Sequence, residues 1–253
     1  MDLGLQGKRV LITGGTKGIG LHCAKIFAAE GAAVSVCARN AAGVTATVES
    51  LTQQGANAFG RAVDVSNAQT LKSWVQDSAA ALGGIDILVA NVSALAVADD
   101  EGAWKSSFET DMMHSVRLVN AAMPWLEKSD AASITLVSSV SGREVDFTGP
   151  AYGSFKAALV HYAQGLAMKL APKRIRANTV SPGNTYFEGG IWPMIEKNNP
   201  ELFAEALSMN PMGRMAYPEE IARGVVFLSS PASSFTSGTN LVIDGALTKG
   251  VQL

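Results

Sequence analysis

The stretch 10-VLITGGTKGIG-20 decides how the rest of the chain is read. It opens on an apolar run and breaks into glycines at Gly14, Gly15, Gly18 and Gly20. A strand that ends in such a turn and leads straight into a helix brings backbone N–H groups close to a ligand. A helix opening at Gly18 aims its positive dipole end at that ligand, and phosphate is the natural guest. A glycine-rich turn of this kind also occurs without a ligand, so its neighbours must supply the context.

Outward from that stretch, short apolar runs alternate with longer helical patterns. KRVLIT, AAVSVCA, NAFGRAV, IDILVAN, SITLVSS, RIRANTVS and NLVIDG read as strands bounded by Gly, Ser, Asn or Asp. Their continuous apolar centres suit strands buried on both faces of a parallel sheet. Helical patterns run over 18–30, 67–82, 104–126, 151–171 and 218–229. The alternation predicts an α/β fold, a single Rossmann-type doubly wound parallel β-sheet of about seven strands flanked by helices on both faces. No linker, repeat or composition shift divides the 253 residues, so one domain over 1–253 is expected. The longest irregular stretch runs from about Pro182 to Tyr217, with a substrate-loop insertion expected at about 184–216 and ELFAEALSM as its one short helix.

Hydrophobic residues make up 47% of the chain and charged residues 17%, which fits a large buried core. The formal charge is -2 and no Lys/Arg run appears, which argues against nucleic acid as a partner. No apolar run is long enough to span a bilayer, and MDLGLQGKRV does not read as a secretory signal, so the expected location is cytoplasmic with no membrane partner. Cys23 and Cys37 read as small buried residues rather than a disulfide. His22, His114 and His161 fall on helical patterns without ligand spacing, so each reads as core, surface or subunit contact, and no metal site is expected. No GxSxG elbow supports a hydrolase.

The second strand ends in VCARN, with Ala38, Arg39 and Asn40 where dinucleotide folds that take NAD carry an acidic residue. A guanidinium suits a 2′-phosphate, and Lys17 adds a cation near by, so NADP(H) is favoured, with NAD(H) as the alternative. Further on, AYGSFK sets Tyr152 four residues before Lys156, on one face of a helix.

These features resemble the short-chain dehydrogenase/reductase family over nearly the whole chain. The glycine turn matches that family's TGxxxGxG, AYGSFK its YxxxK, and Ser139 stands thirteen residues before Tyr152. Asp64 and Val65 match a pair that contacts adenine, and VSPGN a segment that lies against the nicotinamide. The resemblance implies that Tyr152 exchanges a proton with the substrate, that Ser139 hydrogen-bonds the reacting oxygen, and that Lys156 favours the phenolate and holds the nicotinamide ribose. It implies cofactor contacts at Gly14, Thr16, Lys17, Gly18, Ile19, Gly20, Arg39, Asn40, Asp64, Val65, Asn91, Tyr152, Lys156, Pro182, Gly183 and Thr185. It also implies a homotetramer, or a homodimer, built on the helices near 104–126 and 151–171 and on the C-terminal stretch Ile221–Leu253.

Three positions depart from the family pattern. Asp111 stands where many members carry an asparagine, seven residues after Trp104, and its charge is expected either to pair with Lys156 or simply to replace the amide; it is counted among the catalytic residues. Asn91 is retained in ANVS, but Ser93 replaces a glycine. Thr185 and Phe187 stand where an aliphatic residue and a threonine are common, and Tyr186, Phe187, Ile191, Trp192 and Met194 read as an apolar substrate wall or a subunit contact. Arg143, Glu144 and Asp146 read as grips for a polar substrate group or as solvated charges.

The expected function is NADP(H)-dependent transfer of a hydride between the nicotinamide and a small to medium, fairly apolar ketone or secondary alcohol, with a 3-oxoacyl thioester reductase as the nearest subclass. The alternative is a non-catalytic NADP(H)-binding sensor or assembly partner, with Asp111 as a sign of decay. An epimerase or dehydratase is disfavoured, since its longer relatives carry an extra substrate domain.

Overall fold

The computed structural model describes residues 2–251; Met1, and Gln252 and Leu253 at the end of the expected C-terminal contact, lie outside the described residues. The strands are β1 Arg9–Thr13, β2 Ala33–Ala38, β3 Ala58–Ala62, β4 Ile87–Ala90, β5 Ser133–Val137, β6 Arg176–Pro182 and β7 Asn240–Ile243. They form one parallel sheet in the order β3-β2-β1-β4-β5-β6-β7. The helices are α1 Gly18–Ala29, α2 Ala41–Gln53, α3 Ala68–Leu82, α4 Glu101–Ser107, α5 His114–Leu126, α6 Pro150–Leu170, α7 Ile191–Asn198, α8 Pro200–Ser208 and α9 Pro218–Ser229.

The strands are apolar throughout because both faces of the sheet are covered. In β1, Leu11 joins the core under α3, α5 and α6, with Leu71, Trp74, Leu118 and Leu159. Val10 and Ile12 point the other way, into the core under α1 and α9, with Phe27, Ile221 and Val225. Each such fully buried side chain contributes about 1.5–3 kcal/mol of burial. Local signals agree with the packing. Asn67 caps α3 by accepting from the Gln69 and Thr70 N–H groups, and Gly83 ends it in the left-handed region at φ 79°.

Strand order reverses between β1 and β4, so the segments leaving their carboxyl ends diverge and open a crevice. The glycine turn follows β1 and Asn91 follows β4, so both border it.

Two expectations need correction. The helix expected over 104–126 is interrupted by a π-helical turn at Phe108–Met113, between α4 and α5. Its carbonyls gain side-chain donors: Ser115 Oγ donates to the Asp111 carbonyl at 3.0 Å, and His114 Nδ1 donates to that of Thr110 at 3.0 Å. The stretch read as irregular holds two helices, not one. In IWPMIEKN, Pro193 sits in the first turn of α7, where its missing N–H has no helical partner to lose. Helices α7 and α8, with the loop that follows, carry a small core of Trp192, Ala206 and Met215. The excursion closes at its base, where Tyr186 N donates to Ala216 O at 2.9 Å and Ala216 N to Asn184 O at 2.8 Å.

Candidate active site

The crevice is a cavity of about 870 Å³ running from the ends of β1 and β2 to the loop before α6 and to α7. At one end lies the glycine turn. Gly14 has φ +69°, and a Cβ there would lie 2.9 Å from Asn91 Nδ2. A Cβ on Gly20 would collide with the Gly14 carbonyl oxygen and come within 2.6 Å of Asn91 Nδ2. Only glycine allows this close approach of α1 to the strand. Asn91 secures the turn by donating from Nδ2 to the carbonyls of Thr13 (3.1 Å) and Gly14 (3.3 Å). No side chain caps the α1 N-terminus. Its N-cap Lys17 and its second residue Ile19 line the cavity, so this helix end abuts it, and Lys17 and Arg39 supply cations there. This donor set fits the phosphates of a dinucleotide.

Gly14, Thr16, Lys17, Ile19, Arg39, Asn40, Asp64, Val65, Asn91, Pro182, Gly183 and Thr185 all line the cavity with Ser139, Tyr152 and Lys156. Gly18 and Gly20 are buried behind its surface, and their part is to let the backbone approach. Asn40 Oδ1 caps α2 by accepting from Gly43 N at 2.9 Å, which puts Gly43 on the wall beside Arg39. Asp64 is bent inward by the Ser66 hydroxyl and N–H, which both donate to it; those bonds lower its pKa below the usual carboxylate value, with Arg39 adding a smaller effect.

At the other end, α6 places Tyr152 and Lys156 one turn apart, both nearly buried. Lys156 Nζ lies 5.5 Å from the centre of the Tyr152 ring and donates to the Val137 carbonyl at 3.1 Å. Asp111 does not reach the cavity. It is buried behind Lys156, with Oδ1 3.2 Å from Nζ but poorly aligned for a hydrogen bond, and Oδ2 accepting from Ala94 N at 3.3 Å. Burial alone would lower the lysine pKa. The Asp111 carboxylate outweighs it, with a smaller effect from Tyr152, and Lys156 is held above its ordinary value. Asp111 therefore keeps a buried ammonium protonated, and the structure pairs its carboxylate with Lys156.

His114 is fully buried beneath the crevice. A carbonyl only accepts, so Nδ1 carries the proton given to Thr110, and neutral Nε2 accepts from the Thr13 hydroxyl at 2.9 Å. Thr13 in turn receives Asn91 N at 3.1 Å. This chain ties α5 to the glycine turn. Burial depresses the His114 pKa to about 4. Cys23 and Cys37 are buried, and burial pushes both thiols far up. His161 is exposed and His22 is half-buried. Among the described residues no group of three or more His, Cys, Asp or Glu side chains could hold a metal ion.

The apolar wall is distributed differently from the sequence expectation. Phe187, Ile191 and Trp192 line the cavity, but the Phe187 ring lies on Gly18, at the phosphate end, and Lys17 Nζ donates to the neighbouring Gly189 carbonyl at 3.2 Å. Tyr186 packs against Phe203 and bonds Glu196 at 2.6 Å, and Met194 is exposed. Glu144 accepts from Lys249 N and Gly250 N, each at 2.9 Å, and holds the C-terminal segment instead of a substrate. Ser93, Ser106, Thr110, Ser141 and Phe147 also line the cavity. Of these, the i, i+4 pair Ser106 and Thr110 was open to sequence reasoning as two hydroxyls on one helix face.

The family model described as enoyl-(acyl carrier protein) reductase matches residues 14–248. An isoepoxydon dehydrogenase of Penicillium expansum is 44% identical over 259 residues, covering 100% of this chain and 99% of that relative. The L-sorbose reductase of Gluconobacter frateurii, solved with NADPH and L-sorbose, superposes with a TM-score of 0.91 at 29% identity, over 99% of this chain and 100% of that one. A 7α-hydroxysteroid dehydrogenase complexed with NADH and 7-oxo glycochenodeoxycholic acid superposes with a TM-score of 0.90 at 29% identity, over 97% of this chain and 96% of that one. Among the described residues no helix is long and apolar enough to cross a membrane. With the glycine turn, Ser139, Tyr152 and Lys156 on one cavity, and a family match over most of its length, the chain belongs to the short-chain dehydrogenase/reductase family, NAD(P)-dependent oxidoreductases of alcohol and ketone groups.

Proposed function

We propose that this protein is an NADP(H)-dependent reductase or dehydrogenase of a small to medium ketone or secondary alcohol, with Ser139, Tyr152 and Lys156 as its catalytic residues and Asp111 as the positioning residue behind Lys156. The observation that carries the reading is that Ser139, Tyr152 and Lys156 meet the glycine turn on one cavity. The apolar wall of Ile191 and Trp192, with Phe147 packed on Trp192, favours a fairly apolar substrate body.

When bound, the nicotinamide cofactor accepts or delivers the hydride. Gly14, Thr16, Lys17, Gly18, Ile19 and Gly20 would hold its phosphates, Asp64 and Val65 the adenine, and Asn91, Pro182, Gly183 and Thr185 the nicotinamide half. Arg39, with Asn40 and Gly43 beside it, favours the 2′-phosphate of NADP(H) over NAD(H). Tyr152 gives a proton to the substrate oxygen in reduction and takes one in oxidation. Ser139 hydrogen-bonds that oxygen as charge gathers on it. Lys156 sets a fixed positive charge beside the Tyr152 ring and is placed to hold the ribose hydroxyls.

The excursion at 184–216 acts in this reading as the substrate loop of a single domain. A cytoplasmic homotetramer, or homodimer, completes it. Exposed Trp104 and Phe108, packed on Phe155, and exposed Met168, Phe227 and Phe235 are the apolar side chains that support association.

NADPH oxidation against ketones and 3-oxoacyl thioesters tests the reading, with Tyr152→Phe alongside. The expected result is turnover that falls by about 10²–10⁴-fold in the variant, while NADPH affinity measured by fluorescence titration stays near that of the native protein. Turnover that survives the substitution removes Tyr152 from the chemistry. No turnover on any substrate, with NADPH still bound, favours the sensor reading.

A further inference from the structure

The substrate end of the cavity carries a relay of oxygens that proton exchange at Tyr152 does not use. Ser139 Oγ donates to Ser141 Oγ at 3.1 Å, and Ser141 Oγ donates to Asp146 Oδ2 at 2.6 Å. The last member fixes the direction, because a carboxylate only accepts. Asp146 Oδ1 takes the Thr148 N–H at 2.8 Å and the Thr148 hydroxyl at 2.6 Å. A carboxylate offers about four acceptor positions, so these three donors leave one open. Asp146 lines the cavity and is exposed. Its loop is pinned by the next residue, Phe147, which packs edge-on against Trp192 with ring centres 5.3 Å apart. A held anionic acceptor thus stands two hydrogen bonds from Ser139.

We propose, resting on the oxidoreductase reading above, that Asp146 and Ser141 receive a second hydroxyl group on the carbon next to the reacting one. The substrates are then α-hydroxy ketones and the vicinal diols with which they interconvert. The two oxygens of such a pair lie about one hydrogen-bond length apart, the spacing of the Ser139 and Ser141 hydroxyls. A lone carbonyl that takes the Ser139 O–H proton leaves Ser141 Oγ without the donor it had. A neighbouring hydroxyl accepts the single Ser141 O–H proton, which turns to it from Asp146, and donates its own proton to Asp146 in that place, so every donor in the network keeps an acceptor. In the oxidation, the carbinol C–H leaves as hydride to NADP⁺ and its O–H proton leaves through Tyr152. The products are the hydroxy ketone, NADPH and a proton, and the second hydroxyl is unchanged. A carboxylate beside the reacting carbon is excluded by repulsion from Asp146.

The test uses matched pairs. Reduction of 2-hydroxycyclohexanone is compared with that of cyclohexanone by kcat/KM. Binding of trans-1,2-cyclohexanediol is compared with that of cyclohexanol by titration calorimetry on the NADP⁺-loaded protein. Native protein, Asp146→Ala, Asp146→Asn and Ser141→Ala are measured. Sites built to hydrogen-bond a substrate hydroxyl discriminate strongly against analogues lacking it, and exposure of Asp146 to solvent reduces this to a preference of about tenfold or more. That preference is expected in both measurements for the native protein, with the ratio falling toward one in the Asp146→Ala and Ser141→Ala variants and part of the way in Asp146→Asn. A ratio near one in the native protein, or a preference that survives all three substitutions, overturns the assignment. Turnover of neither ketone, with the diol still preferred in an Asp146-dependent way, would refute the oxidoreductase reading and support the hydroxyl subsite.

Discussion

At the scale of the residue, Asp111 and Lys156 show how a buried charge is kept. Both are almost fully buried, so each would be costly alone, and the 3.2 Å contact offsets that cost. Asp111→Ala is expected to destabilise the fold by about 3 kcal/mol in urea titration, since it strands a buried ammonium. Asp111→Asn should lose less, because the amide oxygen can still accept. Lys156 is held above its ordinary value, so the stability it adds is full below the unfolded lysine pKa and is lost as pH rises through the folded one. The alkaline arm of the stability profile should therefore move to lower pH in Asp111→Ala. The resemblance made this position legible in the sequence, but its contact with Lys156 needed the π-helical turn and α6 in place. Arg39 makes a separate prediction. Arg39→Asp sets an anion where a 2′-phosphate would bind, and is expected to weaken NADPH by about tenfold more than NADH in parallel titrations, tenfold being 1.4 kcal/mol. Equal loss for both would remove Arg39 from cofactor discrimination.

Among the elements, the βα turn at Gly14–Gly20 is the most constrained. Gly20→Ala forces a methyl group against the Gly14 carbonyl, which is backbone and cannot swing aside. The expected cost is about 1–3 kcal/mol of stability, with loss of NADPH binding, checked by thermal melts and fluorescence titration on the same sample. This turn was legible because glycine spacing and the preceding apolar run are local. The strands were legible for the same reason: with both sheet faces covered, they are apolar along their whole length. The π-helical turn at Phe108–Met113 was not, because it depends on donors from the next turn, Ser115 and His114, that look like ordinary helix residues. Helix α7 was hidden by Pro193, whose cost depends on its position within the first turn.

Across the whole molecule, His114 links the helical layer to the sheet and makes stability depend on pH. Burial holds its pKa at about 4 against 6.5 for a free histidine. Between those values the unfolded chain binds a proton that the folded chain refuses, so stability falls as pH drops from 6.5 toward 4. The His114→Asn variant should show a shallower fall, by about 3 kcal/mol at most, read from urea titrations at pH 4.5 and pH 7. A slope equal to that of the native protein would mean that other groups carry the acid response. The sequence by itself determined the parallel α/β sheet, the glycine turn and the helix that sets Tyr152 four residues before Lys156. All three follow from periodicity, spacing and backbone freedom within one or two neighbouring elements. Only the tertiary structure decided that Asp111 pairs with Lys156, that Phe187 lies on Gly18, and that Ser139, Ser141 and Asp146 form one relay toward the cavity. In the first two, side chains from separate elements meet; in the third, an irregular loop folds on itself inside the cavity, and neither arrangement is encoded by a periodic local pattern.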